Sequence, residues 1–203
     1  MRTHVTLAVL AATGLLAAGC SSAGSAGTPQ QAPSAHSTAG QRAASLPWDR
    51  PADQQARVKA AGLQLTSAET LDVHYHAHLD VFVNGQPVPV PADLGINIGP
   101  NGQPPEHGAP GIAPLHTHDT SGIVHIEAPS DMKFTLGQVF DEWGILLTRG
   151  QAGAYSPVKV YVDGKRYGGD PNGLVLTSHE EIAVVAGTGT VQVPSSYQFP
   201  PGD

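Results

Sequence analysis

The chain has 203 residues, with 17 acidic and 10 basic side chains giving a formal charge of −7, ten histidines and a single cysteine. Acidity with scattered bases excludes a nucleic-acid binder held by phosphate contacts, and a membrane grip by charge alone. One cysteine excludes an internal disulfide and a thiolate metal cluster, and the length suits one domain of roughly 100 to 150 residues with appendages.

The first appendage is the N-terminus. Arg2 precedes an apolar run at 5–18, VTLAVLAATGLLAA, which is too short for a spanning helix and has the form of a secretory signal. It ends in Ala17-Ala18-Gly19-Cys20, which resembles the lipobox of bacterial lipoproteins. That resemblance implies removal of residues 1–19, lipidation of Cys20, and attachment to the outer face of the cell membrane through an acyl anchor. Loss of Arg2 leaves nine basic side chains against seventeen acids. Residues 20–46 are small, polar and proline-dotted, the composition of a flexible tether. Residues 47–203 are expected to form a single histidine-rich domain.

Residues 49–61 read as a short helix, with Asp49 as cap, Pro51 in the first turn and Gly62 as stop. HYHAHLDVFV follows, and its alternation is that of a half-buried strand. His74, His76 and His78 line one face; Val73, Tyr75, Ala77, Leu79, Val81 and Val83 line the other. Asn84-Gly85 predicts a type I′ turn pairing Val83 with Gln86, Val81 with Val88 and Leu79 with Val90. Pro87, Pro89 and Pro91 then block the return strand, so it is an edge and the histidine strand is interior. Residues 92–113, including His107, are turn-rich loop.

LHTHDTSGIVHIEAP predicts a second hairpin whose loop closes on Gly122 in the left-handed conformation. This register sets His116 opposite His125 and His118 opposite Ile123, with Glu127 on the face of His125. A helix follows from a capping box of Thr135 and Gln138, with Phe134 and Val139 as staple; it buries Leu136, Val139, Phe140 and Trp143 and stops at Gly144. VKVYVDG at 158–164 turns at Asp163-Gly164, DPNG at 170–173 is a further turn, and EEIAVVAG from 180 closes the core. The fold class is α+β, a mostly antiparallel sheet with one capped helix. Over roughly 133–187 the order resembles a β-grasp domain; a β-sandwich is the alternative.

Six of the ten histidines fall on the two hairpins. Imidazoles two residues apart on a strand stand about 6 to 7 Å apart on one face and can reach one ion in front of the sheet. The candidate metal residues are His74, His76, His78, His116, His118, His125 and Glu127, the economical site being an HxH pair completed by His125, with Glu127 or Asp119 as fourth ligand or second-nitrogen partner. Imidazole without thiolate suits Cu²⁺ or Zn²⁺. The alternative is solvated or backbone-satisfied histidines, the reading kept for His4, His36, His107 and His179.

The motifs HxHxHLDVFVNG, LHTHDTSGIVHIEAP, FTLGQVFDEWG and VPSSYQFPPG together resemble a family of uncharacterised bacterial secreted or membrane-anchored proteins, which brings no activity with it. Cupins also carry HxH on a strand, but the glutamate expected beyond it is missing after both His78 and His118. Three functions fit the residues. The first is a lipid-anchored protein that buffers or delivers copper or zinc. The second is a metal-dependent enzyme with a three-histidine site, and the third a protein-interaction or pH-responsive face without metal.

Overall fold

The computed structural model describes residues 48–69, 72–98, 103 and 111–203. The signal segment, Cys20, the tether, His4, His36 and His107 lie outside the described residues.

The histidine strand, β1 (Val73–Val83), is the centre of a seven-stranded sheet. Along one edge it pairs antiparallel with β4 (Ile123–Ala128) over residues 73–78 and then with β2 (Gln86–Val88) over residues 81–83. Along the other edge it pairs in parallel with β7 (Glu181–Ala186) over residues 78–83. Outside these lie β3 (Leu115–His116) on β4, and β5 (Val158–Val162) then β6 (Lys165–Arg166) on β7. Among the described residues only the β1–β7 ladder is parallel, so the fold is α+β and mostly antiparallel.

Local chemistry sets the turns. Asn84 and Gly85 take φ of 50° and 80°, and Asp163 and Gly164 take 49° and 73°. Two successive left-handed residues make the type I′ turn that matches strand twist. The first register holds at Val83–Gln86 and Val81–Val88. It stops before Val90, because the Leu79 N–H is donated to Gly122 O at 2.9 Å, where the second hairpin takes over that edge. Among the described residues proline-rich β2 pairs with β1 alone, as an edge strand should.

Helix α1 spans Gln54–Ala60, and its cap is Asp53 rather than Asp49. The Asp53 carboxylate accepts the Ala56 N–H at 2.9 Å, satisfying an otherwise orphaned donor of the first turn. Helix α2 spans Leu136–Trp143 with both halves of the capping box formed and Gly144 left-handed at φ 72°. It buries Leu136, Val139, Phe140 and Trp143 in one core with Ala77, Leu79, Val81, Ile126 and Val184 of the sheet. Each such large side chain contributes about 1.5 to 3 kcal/mol by leaving water. The buried Trp143 indole donates to Trp48 O at 2.9 Å.

Among the described residues there is one sheet, not the two of a sandwich. The β-grasp-like order is wider than the expected 133–187, since it takes its antiparallel pair, β1 and β4, from before that span. The apolar face of β1 meets the core, which leaves the opposite face to the histidines.

Candidate metal centre

Cross-strand register assembles the site. Across β4 and β1, His74 stands opposite Glu127, His76 opposite His125, and His78 opposite Ile123. Across β3 and β4, His116 stands opposite His125, as the second-hairpin register predicts. One lateral row therefore reads His116, His125, His76. His118 lies just past the end of β3 and is exposed, like His74; His125 is half-buried, while His76, His116 and Glu127 are buried.

The imidazoles touch in a chain. His74 Nε2 is 3.2 Å from His76 Nε2, and His76 Nε2 is 2.9 Å from His125 Nδ1. The His125 ring lies 4.5 Å from that of His118 and 5.2 Å from that of His116, centroid to centroid. Glu127 Oε1 sits among them, 3.5 Å from His74 Nε2, 3.8 Å from His125 Nδ1 and 4.0 Å from His116 Nε2. Donor atoms of His74, His76 and His125 lie within 4.8 Å of one another, as do those of His116, His118 and His125, and those of Glu69, His116 and Glu127. Each of these groups is compact enough to hold a metal ion.

Burial sets the protonation. A carbonyl oxygen only accepts, so the 2.9 Å contact of His116 Nδ1 with Ala113 O places the proton on Nδ1. His116 Nε2 is then an unprotonated lone pair, and among the described residues it is buried with no hydrogen-bond partner, as is Glu127 Oε2. Burial first, and then repulsion from His118, His125 and His76, pushes His116 down to about 3, against the Ala113 bond. His125 is pushed down to about 4 by burial and by His76 and His118, and burial also lowers His76. Neutral imidazole is the metal-binding form. Burial, with Glu69 nearby, raises the Glu127 carboxyl; a cation beside it would hold it ionised.

His78 does not join this cluster. In the parallel ladder it stands opposite Glu181, and its Nδ1 lies 2.7 Å from Glu181 Oε2 while its Nε2–H donates to Ser121 O at 2.8 Å. Both ring nitrogens are engaged, and neither lone pair is free. Burial alone would lower His78, but the hydrogen bond and charge of Glu181, with the Ser121 bond, outweigh it and raise the ring above the ordinary imidazole value. The Tyr197 ring stacks on it at 3.6 Å and 6°, and Phe199 of the same C-terminal segment meets Tyr197 and His179 edge-on. His78, Asp80 and Glu181 form a further compact group. Asp119 is exposed beside His118, and its carboxylate accepts the Ser121 N–H at 2.8 Å. His179 is exposed, as expected of its loop.

Sequence reasoning missed Glu69, Asp80 and Glu181. Asp80 carries a usable signal, because it is two residues beyond His78 and shares its face. Glu181 carries another, being an acid that opens an otherwise apolar, wholly buried strand. A cleft of about 500 Å³ lined by Trp48, Arg50, Pro87, Val88, Pro89 and Pro91 contains none of the histidines, so the imidazole cluster is not the floor of that cavity. No helix among the described residues is long and apolar enough to cross a membrane. Searches of protein-family models, curated proteins and solved structures give no match to this chain.

Proposed function

We propose that this chain is an extracytoplasmic metal-binding protein, anchored by a lipid on Cys20 at the outer face of the cell membrane, that holds Cu²⁺ or Zn²⁺ on strand histidines and buffers or delivers it. The observation that carries the reading is His116. Its ring is oriented by one hydrogen bond, and its other nitrogen is buried, unprotonated and without a partner beside His125, His118 and Glu127. Burying such a nitrogen unsatisfied costs about 1 to 3 kcal/mol, a cost that a bound ion would remove. A hydrogen-bonded second nitrogen is what orients a metal-ligating histidine. Imidazole and carboxylate without thiolate favour Zn²⁺ and Cu²⁺ over soft Cu(I).

Glu127, Glu69 and the clustered rings make a ligand set, and this visible ligand set is why binding is preferred to catalysis. The test is elemental analysis of the full chain, purified without tag or chelator, beside a His116→Ala/His125→Ala variant. Copper or zinc near stoichiometry in the parent and its loss in the variant is the expected result. A metal-free parent that also ignores added Cu²⁺ and Zn²⁺ overturns the reading. For the anchor, Cys20→Ser should move the protein from the membrane fraction to the soluble one.

A further inference from the structure

Five imidazoles and a buried carboxylate exceed what one tetrahedral ion takes up. Zinc is almost always four-coordinate in structural sites, with Zn–N bonds of about 2.0 to 2.1 Å, so two nitrogens on one ion lie at most ~4.2 Å apart. His76 and His116 stand two strand spacings apart in the lateral row, about 9.5 Å between backbones, with His125 between them. Their side chains gather into different triads: His74 and His76 on the β1 side, His116 and His118 on the β3 side. His125 is the one residue common to both. Within the β1 triad the spacings of 3.2 and 2.9 Å already suit neighbouring ligands of one ion.

Glu127 reaches both groups as well. Its Oε1 lies 3.5 Å from His74 Nε2 in one triad and 4.0 Å from His116 Nε2 in the other, and its Oε2 is buried without a partner. Two adjacent dications repel one another, and an anion between them offsets part of that repulsion.

Resting on the metal-binding reading above, we infer that the site is dinuclear: one divalent ion held by His74 and His76, a second by His116 and His118, with His125 shared between them and the Glu127 carboxylate reaching both. A histidine has two ring nitrogens, so His125 serves one ion through Nδ1, the atom beside His76, and the other through Nε2. Binding the second ion sends the remaining ring proton of His125 to solvent, leaving a bridging imidazolate.

The experiment is a titration of the full chain with Cu²⁺ alone, followed by desalting, copper analysis and electron paramagnetic resonance of the same samples. The expected result is two coppers per chain, with an integrated spin signal well below two because a bridging imidazolate couples the ions. His74→Ala/His76→Ala and His116→Ala/His118→Ala should each retain one copper with an undiminished signal. A single copper in the parent protein overturns the pair while leaving metal binding standing; no copper overturns both. Two coppers with a full, uncoupled signal overturn the sharing of His125. The parent measurement requires no substitution, so misfolding of a variant does not decide the result.

Discussion

The two ends of one short motif behave oppositely. His74 and His76 share a strand and a face with His78, yet the first two enter an imidazole cluster whereas His78 sits in a buried pair with Glu181. The difference comes from the neighbouring strand. Residues 73–78 face β4, which presents His125 and Glu127, and His78 is where parallel β7 begins and presents Glu181. An imidazole opposite a half-buried imidazole stays neutral and keeps a lone pair. His78, buried opposite Glu181, is pushed the other way, upward, by the hydrogen bond and charge of that carboxylate. His74 also stands opposite a carboxylate, Glu127, but it is exposed and its Nε2 approaches His76, so burial of the ring and its second partner, Ser121 O, separate latch from ligand together with the cross-strand residue.

Removing one partner of the latch should have the largest effect. Glu181→Ala leaves the buried His78 Nδ1 without its partner and is expected to cost about 3 kcal/mol in urea unfolding at neutral pH, whereas His74→Ala, at an exposed position, should change stability by less than about 0.5 kcal/mol. Equal effects would erase the distinction between the two ends.

Acid comes next, and its sign differs between the regions. His116 and His125 fall to about 3 and 4 in the fold against 6.5 for a free imidazole. Between about 6.5 and 4 the unfolded chain binds protons that the folded cluster refuses, so stability is full above 6.5 and is lost as pH falls. For deeply buried His116 alone the loss between pH 7 and pH 4 is about 3 kcal/mol. His78 is raised, so its contribution is full below 6.5 and is lost as pH climbs through its folded value. Urea midpoints of metal-free protein across pH 4 to 8 check this: His116→Gln should flatten the acid slope, and His78→Gln should not.

A smaller effect is expected at the joint between the regions. Gly122 has φ 93°, and a Cβ there would stand 2.6 Å from Leu79 O and 3.0 Å from His78 Nε2. Gly122→Ala should cost about 1 to 3 kcal/mol through strain and overpacking and should shift the His78 ring resonances in NMR while leaving those of His116 in place.

Much of this was legible in the sequence, and what was legible is local. Asn84-Gly85, Asp163-Gly164, the Thr135–Gln138 capping box and the His116–His125 register all follow from interactions within a few residues. So does the alternation that separates the imidazole and apolar faces of β1. The pairings that build the centre are not local. β1 meets β4 across some fifty residues and β7 across about a hundred, and no turn chemistry specifies which edge each strand takes. That is why six histidines and Glu127 could be nominated, while the departure of His78 to Glu181, the approach of Glu69 and the stacking of Tyr197 could not. The Asp49-for-Asp53 error is of another kind, since two acids four residues apart both precede the same helix and only the capping bond chooses.

The most direct measurement is thermal or urea unfolding of the parent protein, His116→Gln and His78→Gln, each in Zn²⁺ and in chelator. A ligand at a hundred times its dissociation constant stabilises the folded state by about 2.7 kcal/mol. The parent and His78→Gln should gain this stabilisation from Zn²⁺, and His116→Gln, left with the His74, His76 and His125 group intact, should gain markedly less. Zinc stabilisation weakened by His78→Gln and undiminished in His116→Gln would contradict the assignment of His116 as a ligand.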